Sequence, residues 1–292
     1  MRTFLILTVD GLTNGFIYAL VALALVMIWR ATRVINYAQG AMAMFTTYIA
    51  LFLITHGVTY WLAFVITLGA GFALGSVTER VLVRPVEGRP ALNMVILSLG
   101  LLIFLEALAP MLFGGQVKSF PAPFSRIDLT VGSTVLYVSP FDIFIVGAVL
   151  AVMLLLTLFF QRTTIGLSMR AAALRPEIAR LLGVRVGNML TIGWGLAAML
   201  GALAGLLISP AIFLYPNNMD EVLVFGFIGA ILGGLESPSG AVIGAVVVGL
   251  ALSYVGGYIG SDLETIGGLV ILIAVLMVRP QGLFARGQQR RA

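Results

Sequence analysis

Residues 8–33 read TVDGLTNGFIYALVALALVMIWRATR. Asp10 and Asn14 stand near one end, an apolar run follows, and Arg30 and Arg33 close the other. A helix needs about 20 apolar residues to cross ~30 Å of hydrocarbon, and this run supplies them. The pattern repeats along the chain. Of 17 basic residues, 14 lie in the segments Arg30–Arg33, Arg80–Arg89, Arg162–Arg185 and Arg279–Arg291, leaving Arg2, Lys118 and Arg126 elsewhere. Glu79, Glu87, Glu177 and Glu236 share the basic side, and the other eight of 12 acidic residues do not. Positive charge at alternate ends of apolar runs marks a polytopic membrane protein of fixed orientation. The net charge of +5 is therefore a topology signal. The basic groups form no continuous stripe that would track a nucleic acid.

Composition agrees. Sixty per cent of residues are apolar and 10% charged, and the mean hydropathy of +1.10 lies far outside the soluble range. The 34 glycines sit inside apolar runs, where close helix packing in lipid calls for them. With no cysteine there are no disulfides, thiolate metal sites or cysteine nucleophiles. No small-residue cleavage site precedes Asp10, so the first run is expected to be retained rather than removed as a signal.

Apolar runs fall at about 8–29, 34–55, 59–79, 91–113, 140–160, 188–209 and 264–278, and 222–258 holds two more, split by Glu236-Ser-Pro-Ser-Gly240. The expected fold is an all-α polytopic integral membrane protein with about 8–10 transmembrane helices, a single domain over 1–292. Nine spans would place the N-terminus outside and the C-terminus inside, with every Arg-rich loop on the cytoplasmic face. The stretch around Gly233 and Gly240 is either a break between spans or a re-entrant hairpin of half-helices, which is tolerated only where protein or water lines it.

Two loops are long. By parity 114–139 is extracytoplasmic, and alternation near Leu129 to Val138 suits a small hairpin. The loop 161–187 is cytoplasmic and contains Arg175-Pro-Glu-Ile-Ala-Arg-Leu-Leu-Gly183. Pro176 suits a first helical position, Glu177 the positive end of the dipole, and Gly183 a left-handed stop. Ile178, Leu181 and Leu182 share one face. Such a short helix is not stable alone in water. Either it docks into a groove on a partner, or it packs on this protein's own helix ends.

Ordered motifs then carry a resemblance. Gly11-Leu-Thr-Asn-Gly15-Phe-Ile-Tyr18-Ala-Leu20 with Asn36-Tyr-Ala38-Gln-Gly40, Arg84-Pro85 with Gly88-Arg-Pro90, and Thr164-Ile-Gly166 through Arg170-Ala171 to Leu182-Gly183 are the first three. Leu232-Gly-Gly-Leu-Glu-Ser237 with Gly240-Ala241 and Gly244, and Arg279-Pro280-Gln-Gly282-Leu-Phe284, complete the set. Singly weak, five in register from about 11 to 284 are strong, and the chain resembles the branched-chain amino-acid ABC transporter permeases, the shorter type of the pair.

The resemblance implies an importer in the bacterial inner membrane. It would have a second permease subunit, two cytoplasmic ATPases and a periplasmic binding protein, with leucine, isoleucine and valine as the family's usual cargo. Urea or short amides travel through similar permeases. The loop at 161–187 is similar to the family's ATPase-contacting loop, so Arg170, Arg175, Glu177, Ile178, Leu181, Leu182 and Gly183 are the expected coupling residues.

The chain carries no nucleotide site of its own by the P-loop route, because Lys118, the only lysine, follows Val117 rather than glycine. The sole histidine, His56, has no second histidine within a turn, and no histidine is placed to activate Ser98, Ser209 or Ser253. An enzyme is not expected, nor a metal or cofactor. Polar groups inside the runs are the candidates for a translocation path: Asn14, Asn36, Gln39, Asn93 and Ser98. Asn36 and Gln39 are expected on one helix face, and the family usually carries histidine where Gln39 stands. Ionisable groups at such depth cost roughly 2.5–3.5 kcal/mol, and Glu106 either faces the path or snorkels to the near surface. Gly233, Gly234 and Gly240, around Pro238, are expected to break helical geometry and take part in gating, with tight packing alone as the other reading. The competing class is an ion-coupled secondary transporter, whose broken helices the 226–244 stretch could represent. The scarcity of mid-depth carboxylates speaks against it, and a purely structural scaffold has no use for a glycine-lined break.

Overall fold

Helix α1 (Arg2–Thr32) is 31 residues long, about 46 Å at 1.5 Å per residue, and the protein is built round it. From Ile17 to Val26 every residue is buried, and Ile28 is as well. The computed structural model describes residues 2–124, 129–131, 134–136, 138–279 and 282–283. Arg126, Pro280, Phe284 and the terminal basic residues Arg286, Arg290 and Arg291 lie outside the described residues.

The helices that follow are α2 (Gln39–Thr55), α3 (Tyr60–Thr78), α4 (Ala91–Phe113), α5 (Pro140–Arg162), α6 (Thr164–Leu174) and α7 (Pro176–Leu181). After these come α8 (Val186–Ile208), α9 (Asp220–Gly233), α10 (Pro238–Tyr258) and α11 (Glu264–Val278). Six helices among the described residues are long and apolar enough to cross a membrane: α1, α3 with its extension to Val86, α4, α5, α8 and α10. Three shorter apolar helices, α2, α9 and α11, have 17, 14 and 15 residues. Together they fall on the nine apolar runs. The one sheet described is a hairpin of β1 (Leu129–Val131) and β2 (Thr134–Leu136), with Leu129 opposite Leu136.

Helix α1 runs antiparallel to α10, and α3 to α8, with small residues at the close contacts. A Cβ added to Gly11 would lie 2.8 Å from Leu250 Cα, so the start of α1 meets the end of α10. On α3, Gly75 abuts the Trp194 carbonyl near the start of α8. This is the small-residue contact by which helices associate when hydrophobicity offers no net drive in lipid. In α1 and α8, 78% of the apolar window is buried, against 22% in α4 and 11% in α5. Leu150, Leu154, Leu155 and Leu158 of α5 are accordingly exposed, in positions suited to lipid.

The ends of the helices follow from local chemistry. Ser139 and Asp142 form a reciprocal capping box on α5, and Ser237 Oγ accepts from Gly240 N at 3.1 Å ahead of Pro238, the first residue of α10. Gly234 (φ +96°) reverses the chain between α9 and α10, so the segment is broken over 234–237 rather than helical throughout. The break sits beside the Arg33 end of α1, since Arg33 pairs with Glu236. There α9 and α10 are joined by a tight turn. Leu283 N donates to Leu232 O at 2.8 Å, laying residues 282–283 against the same turn.

Backbone leaves helical geometry inside the body at 33–38 and 209–219. In both stretches buried residues (Asn36 and Ala38; Leu214, Asn218 and Met219) alternate with exposed ones (Arg33 and Tyr37; Phe213 and Tyr215). Leu214 is fully buried and exchanges two hydrogen bonds with Lys118, at 2.9 and 2.8 Å. At the end of α3, residues Glu79–Val83 form one π-helical turn, a feature common at functional positions.

Candidate functional site

The five expected path residues do not converge on one place. Asn36 precedes α2 rather than sharing a helix face with Gln39, because the helix begins only at residue 39. Its Oδ1 accepts from Ala38 N at 3.1 Å and its Nδ2 donates to Gln39 Oε1 at 3.2 Å. Gln39 Nε2 donates to Ala197 O of α8 at 2.9 Å. Both side chains are buried and bonded, so they brace the entry of α2 against α8. Ser98, whose hydroxyl bonds to Val95 O at 2.9 Å, lines with Asn36 a small crevice between α1, α4 and α8, floored by Met94 and Trp194. Asn93 is half-buried in the first turn of α4, away from that crevice.

Asn14 lies elsewhere. It lines an open cavity of about 380 Å³ bordered by α1, α5, α8, α10 and the start of α11. Asp10, Tyr18, Asp142, Ser253 and Glu264 share its walls. Ser253 is fixed by its bond to Leu7 O at 2.7 Å, and Asp142 Oδ2 accepts from Ser139 N and Oγ at 2.8 and 2.7 Å. Asp10 and Asn14 are legible from the apolar runs, whereas Asp142 and Glu264 are not. These stand in the first turns of α5 and α11, where an acidic residue reads simply as a dipole partner. Parity offered the missing signal, since all three carboxylates fall on the side away from the Arg-rich loops. Glu106 has a buried Oε1 with no hydrogen-bond partner among the described residues and does not line this cavity.

On the Arg30 side the loop 161–187 holds two helices where the residues suggested one. Thr163 Oγ1 caps α6 by accepting from Gly166 N at 3.0 Å. Helix α7 ends at Leu181, with Gly183 at φ +83° as the stop. Ala179 packs with Ala172 and Val186 against the body of the protein. The leucines point the other way: Leu174, Leu181 and Leu182 are 80%, 87% and 77% exposed, with Ile178 beside them. The alternative in which that face packs on the protein's own helix ends is therefore replaced. Arg170, Arg175 and Glu177 are exposed around it, and Arg180 pairs loosely with Glu87 at 3.5 Å.

At the α9–α10 crossing Gly233 and Gly240 meet backbone to backbone, with no room for a side chain. Gly234 supplies the positive φ next to it. Both the packing and the break are present, at different glycines.

A multi-pass helical protein with a polar cavity on its acidic side and an unpartnered apolar helix face on its basic side is built as a membrane transport component. A family model described as "Branched-chain amino acid transport system / permease component" matches residues 7–278, and the chain belongs to that family. It is 29% identical over 290 residues to the high-affinity branched-chain amino acid transport system permease protein BraD of Pseudomonas aeruginosa, covering 95% of this chain and 94% of that protein. It is 28% identical over 303 residues to the permease protein LivH of Escherichia coli K12, with 95% and 94% covered. Both relatives are named as transport permeases. Among solved structures, a chain of "PsaBC from Streptococcus pneumoniae in complex with Fab" aligns over 93% of this chain and 91% of its own, with a TM-score of 0.47 and 13% identity.

Proposed function

We propose that this chain is one membrane subunit of an ATP-driven importer of a small amino acid with a branched apolar side chain. It pairs with a second, different permease subunit, and two cytoplasmic ATPases and a periplasmic binding protein complete the complex. It lies in the bacterial cytoplasmic membrane, C-terminus inside and N-terminus outside. The observation that carries the reading is the exposed Leu174, Leu181 and Leu182 surface of α6 and α7, on the side where the arginines gather. An apolar helix face left bare in water fits a groove on a partner, and an energy source outside the chain is what a permease without a P-loop needs. The names of BraD and LivH supply the cargo class. Asn36 and Gln39 hold helices in place beside the path, and Asn14 contacts solute in the acidic cavity.

The test is uptake of labelled leucine into proteoliposomes holding both permeases and the ATPases, with binding protein outside and ATP inside. The expected result is uptake that needs ATP, is lost without the ATPases, and is competed by isoleucine and valine but not by urea or acetamide. Uptake driven by a proton or sodium gradient, with no nucleotide, overturns the reading.

A further inference from the structure

We propose that the cavity bounded by α1, α5, α8, α10 and α11 is a binding site for an organic ammonium group, receiving the amino end of the solute before it moves inward. The proposal rests on the importer reading and adds a chemical selectivity to it. At about 380 Å³ the cavity falls within the size of small-molecule sites, which run from about 300 to 1,000 Å³. Asp10, Asp142 and Glu264 line it, and neither lysine nor arginine does.

A second, independent observation points to a ligand. Tyr18 is 8% exposed and its side chain forms part of the cavity wall. Its ring is tilted against Phe225, and its hydroxyl bonds to no described residue, so its hydrogen-bonding capacity is directed into the cavity. An ammonium group carries three donors and no acceptor, so it needs oxygens arranged around it. Carboxylates, a phenolic oxygen and the Asn14 amide oxygen provide them. A metal ion is the poorer fit: no three carboxylate or imidazole groups among the described residues cluster closely enough to chelate one. Ile145 and Leu252 complete the wall with apolar surface for an aliphatic side chain. With neither lysine nor arginine in the lining, no positive charge there pairs with the solute's carboxylate. The cavity therefore selects on the amine.

Because the chain has no cysteine, Ser253→Cys creates a single thiol in the cavity of the assembled, liposome-embedded transporter. The test compares its labelling by a trimethylammonium-bearing and a sulfonate-bearing methanethiosulfonate, each corrected for its rate on a free thiol. Focusing of field by an acidic cleft raises local cation concentration by about tenfold or more, and labelling should favour the cation by that factor. Glu264→Gln together with Asp10→Asn should bring the ratio close to one. Isopentylamine, which is leucine without its carboxyl group, should protect the thiol, and 4-methylpentanoate, which lacks the amine, should not. Leu7→Cys, on the same wall, gives a second thiol should the first variant fail to assemble. Equal labelling by both reagents, or equal protection by amine and acid, overturns the site. ATP-driven uptake by the unmodified complex is measured alongside. Its loss with charge-selective labelling intact counts against the importer reading alone, and the reverse pattern counts against the site alone.

Discussion

Glu79 and Arg84 face each other across one π-helical turn, with Arg84 Nε 3.2 Å from Glu79 Oε1 and Nη2 3.0 Å from Oε2. Thr191 of α8 donates to the same carboxylate at 2.6 Å, and Arg84 Nη2 also reaches Gly187 O at 2.9 Å. Glu79 is fully buried. The network therefore ties the end of α3 to the start of α8, next to the loop that carries α6 and α7. Removing one partner of a buried pair leaves an uncompensated charge, at a cost of about 3–5 kcal/mol. Arg84→Ala strands the fully buried Glu79 carboxylate, whereas Glu79→Gln keeps the shape and leaves a guanidinium whose side chain is one-third exposed, so Arg84→Ala should lower the thermal unfolding midpoint in detergent further. Equal midpoints for the two variants would show that the pair is solvated.

The Gln39 contact to Ala197 leads to a second expectation. Gly201 faces Gln39 Nε2, and a Cβ there would lie 2.5 Å from it. Gln39→Leu strands the Asn36 amide in a buried site, which costs about 1–3 kcal/mol. Gly201→Ala should produce a loss of similar size by pushing Gln39 aside, and Gly201→Ala added to Gln39→Leu should cost less than the two losses summed. Unfolding midpoints of the two single variants and the double variant decide it; strict additivity means that the clash is relieved elsewhere.

Glycines of one composition class should separate sharply by position. A Cβ on Gly15 would meet Val246 Cα at 2.8 Å, whereas nothing lies within 4 Å of one on Gly69 or Gly100. Gly15→Ala should destabilise by about 1–3 kcal/mol through overpacking. Gly69→Ala and Gly100→Ala should be neutral or slightly stabilising, by up to ~1 kcal/mol, as helix propensity dictates. Size-exclusion profiles of fluorescent fusions after a heating series rank the three.

Much of this was legible in the residues, and the exceptions have physical causes. The nine runs could be read because span length and arginine placement are properties of single segments. Pro176 and Gly183 marked α7 for the same reason, and alternation marked the β1–β2 hairpin. Helix α6 is not legible in the sequence because Arg170 and Ser168 break its apolar pattern, and its start depends on the Thr163 cap. The run at 34–55 places Asn36 on α2 because an apolar run does not reveal where its first helical bond forms. The acidic cavity joins Asp10, Asp142 and Glu264, three residues far apart in sequence, and only the glycine contacts between α1 and α10 and the placement of α5 and α11 assemble them. Periodicity also gave the Ile178, Leu181 and Leu182 face without saying whether it was covered.

That bare face supplies the last prediction. Ala179, on the opposite side of α7, anchors the helix to the start of α8 through Val186, so a load on the leucines is passed to a central helix of the protein. Arg170, Arg175 and Arg180 surround the leucines, but exposed ion pairs contribute only about 0–1 kcal/mol each. Fully burying a leucine side chain is worth about 1.5–3 kcal/mol, so the apolar face should dominate ATPase binding. Leu181→Asp and Leu182→Asp place a charge where the groove expects a methyl group and should release the ATPases. The permease should stay folded, because both side chains are bare within the chain itself. Arg175→Ala should weaken binding only slightly and make it slightly less salt-sensitive. Ala179→Leu, by contrast, should keep the docking face yet loosen α7 from α8, giving ATPases that co-purify but hydrolyse ATP without moving solute. Pull-down stoichiometry, ATPase rate and uptake, measured on the same preparations, separate these outcomes. A Leu181→Asp complex that retains full ATPase stoichiometry and normal uptake would remove α7 from the coupling path.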